Sequence, residues 1–358
     1  CVLGTRGFPL IQGGVEKHCE SLYTEFPAEY RFVIFRRKPY VRVTPSYPNI
    51  TFIDLPSTKI KGFEAVYHSF LSTCRAVLSR PDIVHIHNIG PALFSPLLKL
   101  CGIKVVLTYH SPNYEHKKWG WGVRTLLKWS EKIALRMSDA VIFVNKFQLE
   151  KYDERTRSKS YYIPNGIPRI TPATQQNYIR ELGLTPGKYV LGVGRITPEK
   201  GFDCLEKAFA GVDTDYKLVI AGGVETESAY LDELKSILPP EKIVFTGYVY
   251  GEKLNQLYTH AGLYVLSSYN EGFPLVLLEA MSYGLDVLVS DIPASHLVDL
   301  PADDYFSKGD YEELARKIER KLKYPRQQKY ELEAYDWTAI VKRLAAVYDK
   351  LNGRKQVP

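Results

Sequence analysis

Tyr189-Val190-Leu191-Gly192-Val193-Gly194-Arg195-Ile196-Thr197-Pro198-Glu199-Lys200-Gly201 leads into an amphipathic stretch, Leu205 to Phe209. An apolar run, a glycine-bearing loop and a helix-forming segment in that order read as strand, tight turn and helix. That unit builds doubly wound parallel sheets, whose ligands bind at the carboxyl ends of the strands. Arg195 and Lys200 are then two cations fixed at such an end. A guanidinium bridges two phosphate oxygens and an ammonium serves as a point charge, so the pair suits a departing diphosphate without a metal. Taken alone, the segment reads equally well as a surface Arg and Lys beside a turn.

A second stretch further along changes that balance. Tyr269-Asn270-Glu271-Gly272-Phe273-Pro274-Leu275-Val276-Leu277-Leu278-Glu279 places one acid on a glycine-bearing loop and another inside the helix that follows. Pro274 suits the first helical position, so the helix is expected to start within a residue of it. The free amides of its first turn, with the positive end of the helix dipole, can hold a phosphate. Glu279 is placed to accept hydrogen bonds from a ribose. Glu271, with the backbone of Gly272, Phe273, Leu275 and Val276, is placed to accept or donate to sugar hydroxyls.

Short apolar runs alternate with helix-like stretches on both sides of these motifs. The expected strands are Val2 to Leu3, Phe32 to Phe35, Thr51 to Leu55, Ile83 to His87, Val105 to Tyr109 and Ala140 to Val144, then Tyr189 to Val193, Lys217 to Ala221, Lys242 to Thr246, Leu263 to Leu266 and Val287 to Ser290. The expected helices are Val15 to Phe26, Phe63 to Leu78, Pro91 to Leu100 and Gly122 to Arg136 in the first half. In the second they are Glu225 to Leu238, Lys253 to His260, Pro274 to Tyr283 and Tyr311 to Lys323, with Trp337 to Leu351 at the end. Prolines at 164, 168, 172 and 186 mark a hinge.

At 358 residues, 45% hydrophobic and 24% charged, the chain has the composition of a soluble protein with two cores. Its five cysteines form no C-x-x-C pair, which points to a reducing compartment and away from structural zinc. Asp213-Thr214-Asp215 has the spelling of a metal-binding D-x-D but reads as a solvated turn, and no metal is expected. No apolar run approaches the roughly 20 residues of a membrane span. The start inside the strand-like Cys1-Val2-Leu3 suggests that residues precede it. Residues 1–170 hold 25 Lys and Arg against 13 Asp and Glu, leaving 22 against 27 for 171–358. The basic half is expected to face an anion. Arg36-Arg37-Lys38, Lys59, Lys61, Lys117 and Lys118, near Tyr40, Phe63, Tyr67, Trp119 and Trp121, suggest docking on an anionic membrane. No recognised nucleic-acid module is present, and nucleic acid is not expected as a partner.

Together these motifs resemble family 4 of the retaining, nucleotide-sugar-dependent glycosyltransferases. Gly4-Thr5-Arg6-Gly7 and Gly13-Gly14-Val15-Glu16 look like that family's first strand and glycine loop, Thr108-Tyr109-His110 like the strand end carrying its active-site histidine, and Ile163-Pro164-Asn165-Gly166-Ile167 like its interdomain crossing. The resemblance implies an α/β GT-B fold of two doubly wound Rossmann-like domains around an interdomain cleft. Residues 1–168 would form the acceptor-side domain, with the helix in 336–358 crossing back onto it, and 169–335 the nucleotide-sugar domain. His110, Glu271, Arg195 and Lys200 would be catalytic. Gly13, Gly14, Tyr248, Val249, Gly272, Phe273, Leu275, Val276 and Glu279 would bind the donor, with Tyr248 and Val249 beside its base. His87 is a weaker candidate, because His85 and His87 alternate on a strand. The resemblance further implies retention of anomeric configuration, no cofactor, a UDP-, GDP- or dTDP-sugar donor, and a glycan or lipid-linked acceptor; no sequence feature marks a carboxylate for double displacement, so front-face attack is expected. The opening motif resembles members that build bacterial surface polysaccharide or lipopolysaccharide, at the cytoplasmic membrane face. The loop after His110 departs from the family pattern. A nucleotide-sugar epimerase, a phosphorylase or a non-catalytic sugar-nucleotide scaffold are the other readings.

Overall fold

Runs such as Val105-Val106-Leu107 and Leu263-Tyr264-Val265-Leu266 are apolar at every position, the pattern of strands covered on both faces. The computed structural model describes residues 1–358 apart from 12, 59, 61–62, 113, 115–119, 168–169, 225–228 and 354–358. Contacts divide it into two units, Cys1–Gly166 with Glu333–Pro358, and Ile167–Leu332.

The first unit holds seven strands: β1 (Val2–Leu3), β2 (Phe32–Arg37), β3 (Ile50–Leu55), β4 (Ile83–His87), β5 (Lys104–Tyr109), β6 (Ala140–Phe143) and β7 (Ser160–Tyr162). All pair in parallel in the order β3-β2-β1-β4-β5-β6-β7. The order reverses between β1 and β4, which places the carboxyl ends of those two strands at the switch point. One face of the sheet is covered by α1 (Gly14–Thr24) and by the terminal helix Trp337–Asn352, through a core that includes Leu22, Tyr23, Phe26, Trp337 and Leu344. The other face is covered by α2 (Phe63–Ser79), α3 (Ser95–Leu100) and α4 (Trp121–Met137), packed over Leu3, Ile86, Leu107 and Val141.

The second unit repeats the plan with β8 (Tyr189–Val193), β9 (Lys217–Ala221), β10 (Ile243–Gly247), β11 (Leu263–Leu266), β12 (Val287–Ser290) and β13 (Tyr305–Phe306), ordered β10-β9-β8-β11-β12-β13 and parallel throughout. Its switch point lies between β8 and β11. The fold is α/β with two doubly wound Rossmann-like sheets.

Several elements differ from the sequence reading. β7 and β13 are edge strands of three and two residues, too short to show a period. The segment expected as one helix from Pro91 to Leu100 is a 3₁₀ turn, Pro91–Phe94, followed by α3. Pro96 in the first turn of α3 has no N–H to continue a ladder across the junction. The helix expected from Glu225 is described as Ala229–Leu234, its expected start at 225–228 lying outside the described residues.

Candidate active site

In the second unit the two motifs meet. The loop after β8 carries Arg195 and Lys200, and the loop after β11 carries Glu271, so the two loops flank the switch point. Lys200 Nζ lies 2.5 Å from Glu271 Oε1, and Ser268 Oγ donates to the same oxygen at 2.7 Å. Both members of the ion pair are largely buried, at 19% and 12% side-chain exposure. Glu271 is thereby pinned by a cation and a hydroxyl, while Lys200 keeps two further N–H groups for another acceptor. The backbone joins the same loops: Ser267 Oγ donates to Lys200 O at 2.9 Å and Tyr269 N to Glu199 O at 2.8 Å. Gly201 makes the approach possible. It has φ of 62°, and a Cβ there would stand 2.2 Å from Ser267 O. Arg195, on the same loop, is exposed.

Gly272 and Phe273 lead into the helix Leu275–Ser282, which carries Leu275, Val276 and Glu279. Pro274 takes the N-cap rather than the first helical position, with ψ of 80°, and the helix begins one residue later. Glu279 is buried on this helix and accepts from Tyr258 Oη at 3.1 Å. Tyr258, itself fully buried, stacks on Tyr283 with ring centroids 5.1 Å apart. Tyr248 and Val249 follow β10. The Tyr248 ring lies against Gly223, where a Cβ would stand 2.7 Å from it. The segments that follow three strands of this sheet, β8, β10 and β11, thus carry every second-unit residue expected to bind the donor or act on it. Asp213 and Asp215 are exposed in the turn before β9, Asp215 pairing with Lys188 at 3.1 Å.

In the first unit, Glu16 ties the two glycine motifs together. Its Oε1 accepts from Arg6 N at 3.0 Å and from Thr5 Oγ1 at 3.4 Å. Gly13, at φ 149°, caps α1, and a Cβ on it would meet Glu16 Oε2 at 1.9 Å. Gly14 is exposed with open space where a Cβ would lie, so nothing in the fold itself requires glycine there.

His110 sits at the end of β5 within a cluster of four histidines. Its Nε2 lies 3.1 Å from His87 Nδ1, and Tyr23 Oη bridges His87 Nε2 at 2.7 Å and His85 Nδ1 at 2.9 Å. His85 is held further by Tyr348 and by Thr108 Oγ1. Burial holds His85, His87 and His110 well below the usual imidazole range, with neighbouring histidines adding to the effect, and brings His18 down to about 4. The cluster is neutral near pH 7, suited to hydrogen bonding rather than to carrying charge. His18, His87 and His110 also bring one ring nitrogen each within 4.8 Å of one another, the grouping among the described residues that can take a metal ion.

Sequence reasoning missed the partners that hold these residues. Ser268 stands three residues before Glu271, a spacing that could have been noticed. Tyr258 with Glu279, and Tyr23 and Tyr348 with the histidines, are distant in sequence and leave no local signal. The expected basic docking patch is corrected at two of its residues, while its Lys38, Phe63 and Trp121 are exposed. Arg36 and Arg37 are buried, Arg36 against Asp54 at 2.7 Å and Arg37 against Glu64 at 2.9 Å, so neither is offered to an anion. Lys59, Lys61, Lys117, Lys118 and Trp119 lie outside the described residues. Among the described residues, no helix is long and apolar enough to cross a membrane.

Residues 12–169 match the family model described as Glycosyltransferase Family 4, and residues 174–337 the model described as Glycosyl transferases group 1. The sulfoquinovosyl transferase SQD2 of Arabidopsis thaliana is 27% identical over 74% of this chain, which spans 56% of that relative's length. Among solved structures, sucrose-phosphate synthase from Thermosynechococcus elongatus has a TM-score of 0.77 at 21% identity, covering 95% of this chain and 92% of its own. Anabaena HepE in complex with UDP-glucose has a TM-score of 0.71 at 16% identity, covering 98% of this chain and 97% of its own. At such identities the solved structures speak for the fold, and the two models together account for most of the chain: it belongs to the family 4 glycosyltransferases and has the GT-B fold.

Proposed function

We propose that the protein is a retaining hexosyltransferase that takes its sugar from a nucleoside diphosphate sugar and passes it to a glycan or glycolipid acceptor. The observation that carries this reading is the Lys200–Glu271 pair at the switch point of the second sheet, beside the start of the helix bearing Glu279. In this reading the diphosphate takes the two remaining N–H groups of Lys200, the guanidinium of Arg195 and the amide end of the helix Leu275–Ser282. Glu279 takes the ribose hydroxyls, held in place by Tyr258. Glu271 takes a sugar hydroxyl, and Tyr248 and Val249 border the base. Gly13 and Gly14 let backbone amides near a phosphate oxygen.

The chemistry proposed is front-face displacement. The acceptor oxygen forms its bond to the anomeric carbon as the bond from that carbon to the diphosphate oxygen breaks, and the acceptor's proton passes to the departing phosphate. His110, neutral, gives a hydrogen bond to the sugar or the leaving phosphate. No metal enters these steps. The solved HepE complex contains UDP-glucose, which makes a UDP-sugar the first donor to try. A role in bacterial surface polysaccharide or lipopolysaccharide assembly, on the cytoplasmic side, is part of the same proposal.

Thermal stabilisation by UDP, GDP, dTDP and their sugar conjugates, each with and without EDTA, tests the reading, because a ligand of the native state raises apparent stability. An EDTA-insensitive shift with one base names the donor class, to be followed by a transfer assay. Absence of a shift with all of them would overturn it.

A further inference from the structure

Helix α4 turns an unusual combination of side chains outward. Trp121 is 85% exposed and Trp129 65% exposed, and Leu126 is exposed beside them. Lys128, Lys132 and Arg136 are exposed on the same helix. Trp121, Lys128, Lys132 and Arg136 follow one another at intervals of seven, four and four, and Trp129 precedes Lys132 by three, so the rings and cations share one face. The opposite face, Ser130, Glu131, Ala134 and Leu135, is buried. The helix's one acid is thereby removed from the surface: Glu131 Oε1 accepts from Tyr109 Oη at 2.5 Å and Tyr152 Oη at 2.7 Å. Neither Lys132 nor Arg136 meets an acid among the described residues. Leu100, on α3 next to α4 over the same sheet face, is 84% exposed.

We propose that this face of α4 docks the first unit on an anionic phospholipid bilayer. Indole rings favour the headgroup level, where an apolar body and a polar N–H are both accommodated. Cations one turn away meet the lipid phosphates while their methylene stems lie along the rings. A second copy of the chain is a poor occupant. A two-fold interface would set the same three cations against their own copies with no acid on the patch to answer them. The patch shares Trp121 with the one expected from sequence and takes its cations from α4 in place of Arg36 and Arg37, which are buried in ion pairs.

The test is co-sedimentation of the whole chain with vesicles of phosphatidylcholine alone and of phosphatidylcholine with one third phosphatidylglycerol, at low and high salt. Binding is expected to the anionic vesicles, to weaken with salt and to shift tryptophan emission to the blue. The triple variant Lys128→Glu, Lys132→Glu, Arg136→Glu should bind those vesicles about 100-fold more weakly, and Trp121→Ala with Trp129→Ala should abolish the blue shift. All five side chains are exposed, and a thermal melt confirms that each variant is folded; should the triple variant not fold, single charge reversals give the same comparison. Equal binding by wild type and variants, or no binding to anionic vesicles, overturns the proposal. A self-association that the triple variant loses, with no vesicle binding, gives the face to a second copy and also overturns it. Vesicle binding is read without donor or turnover, so its failure leaves the transferase reading standing.

Discussion

Lys200 Nζ sits 2.5 Å from Glu271 Oε1 across the point at which the strand order of the second sheet reverses. Each residue is therefore the other's charge partner as well as a proposed donor contact, and removing one leaves a largely buried charge alone. Lys200→Ala and Glu271→Gln are each expected to lower kcat by about 100- to 1000-fold. They should also remove the thermal shift given by the nucleoside diphosphate. Full turnover in either variant would sink the site assignment.

His110 stands in contact with His87, which Tyr23 holds from the other side of its ring. One proton is shared between His87 Nδ1 and His110 Nε2, so Tyr23 influences which nitrogen of His110 is the donor. His110→Ala is expected to cost about 100-fold or more in kcat with the nucleotide thermal shift intact. Tyr23→Phe, which removes a single hydrogen-bonding hydroxyl behind the ring, should cost about fivefold. An unchanged kcat in His110→Ala would place the histidine among the structural ones.

The parallel sheets were legible because stretches such as Leu263–Leu266, after Gly262, and Leu218 to Ala221, before Gly222, are continuous apolar runs beside a glycine. The glycine loops were legible because a φ such as the 62° of Gly201 is a local demand for glycine, although the approach of Ser267 O to the same residue leaves no signal in the sequence. What was not legible depends on residues far apart in the chain. Arg36 read as a surface cation, yet Asp54 on the neighbouring strand β3 takes it into the core, a pairing set by register and not by any spacing in the sequence. Lys200 and Glu271 were each recognised separately, 71 positions apart, but only the closing of the sheet makes them a pair.

Tyr258→Phe tests the support beneath the proposed ribose contact. The variant keeps the ring that stacks on Tyr283 and loses only the hydroxyl donated to Glu279. A hydrogen bond to a buried carboxylate is worth about 1.5–3 kcal/mol, and unfolding stability should fall by that order. Donor KM should rise while kcat changes little, because the proposed reacting groups are untouched. A fall in kcat at unchanged KM would show Glu279 acting at the reaction centre and not at the ribose.

Glu206 offers a test that bears on stability and not on turnover. It lies on the helix Phe202–Ala210 with no exposure, and neither carboxylate oxygen has a hydrogen-bond partner. Burial, with the nearby Asp203 adding to it, pushes its carboxyl up to about 8 from 4.5. The folded state then binds the proton more tightly than the unfolded state does. Its contribution to stability is fully present below about pH 4.5 and is lost as pH rises toward 8, at up to about 1.4 kcal/mol per pH unit. Glu206→Leu removes the titration and places an apolar group in an apolar core, so its gain over wild type should be larger at pH 8 than at pH 5. Glu206→Gln should show the same flattening with a smaller gain, since its amide remains without partners. Denaturant unfolding of the three proteins across that range reads the effect directly. A wild-type-to-leucine difference that stays constant from pH 5 to pH 8 would mean that Glu206 finds a partner or water in solution.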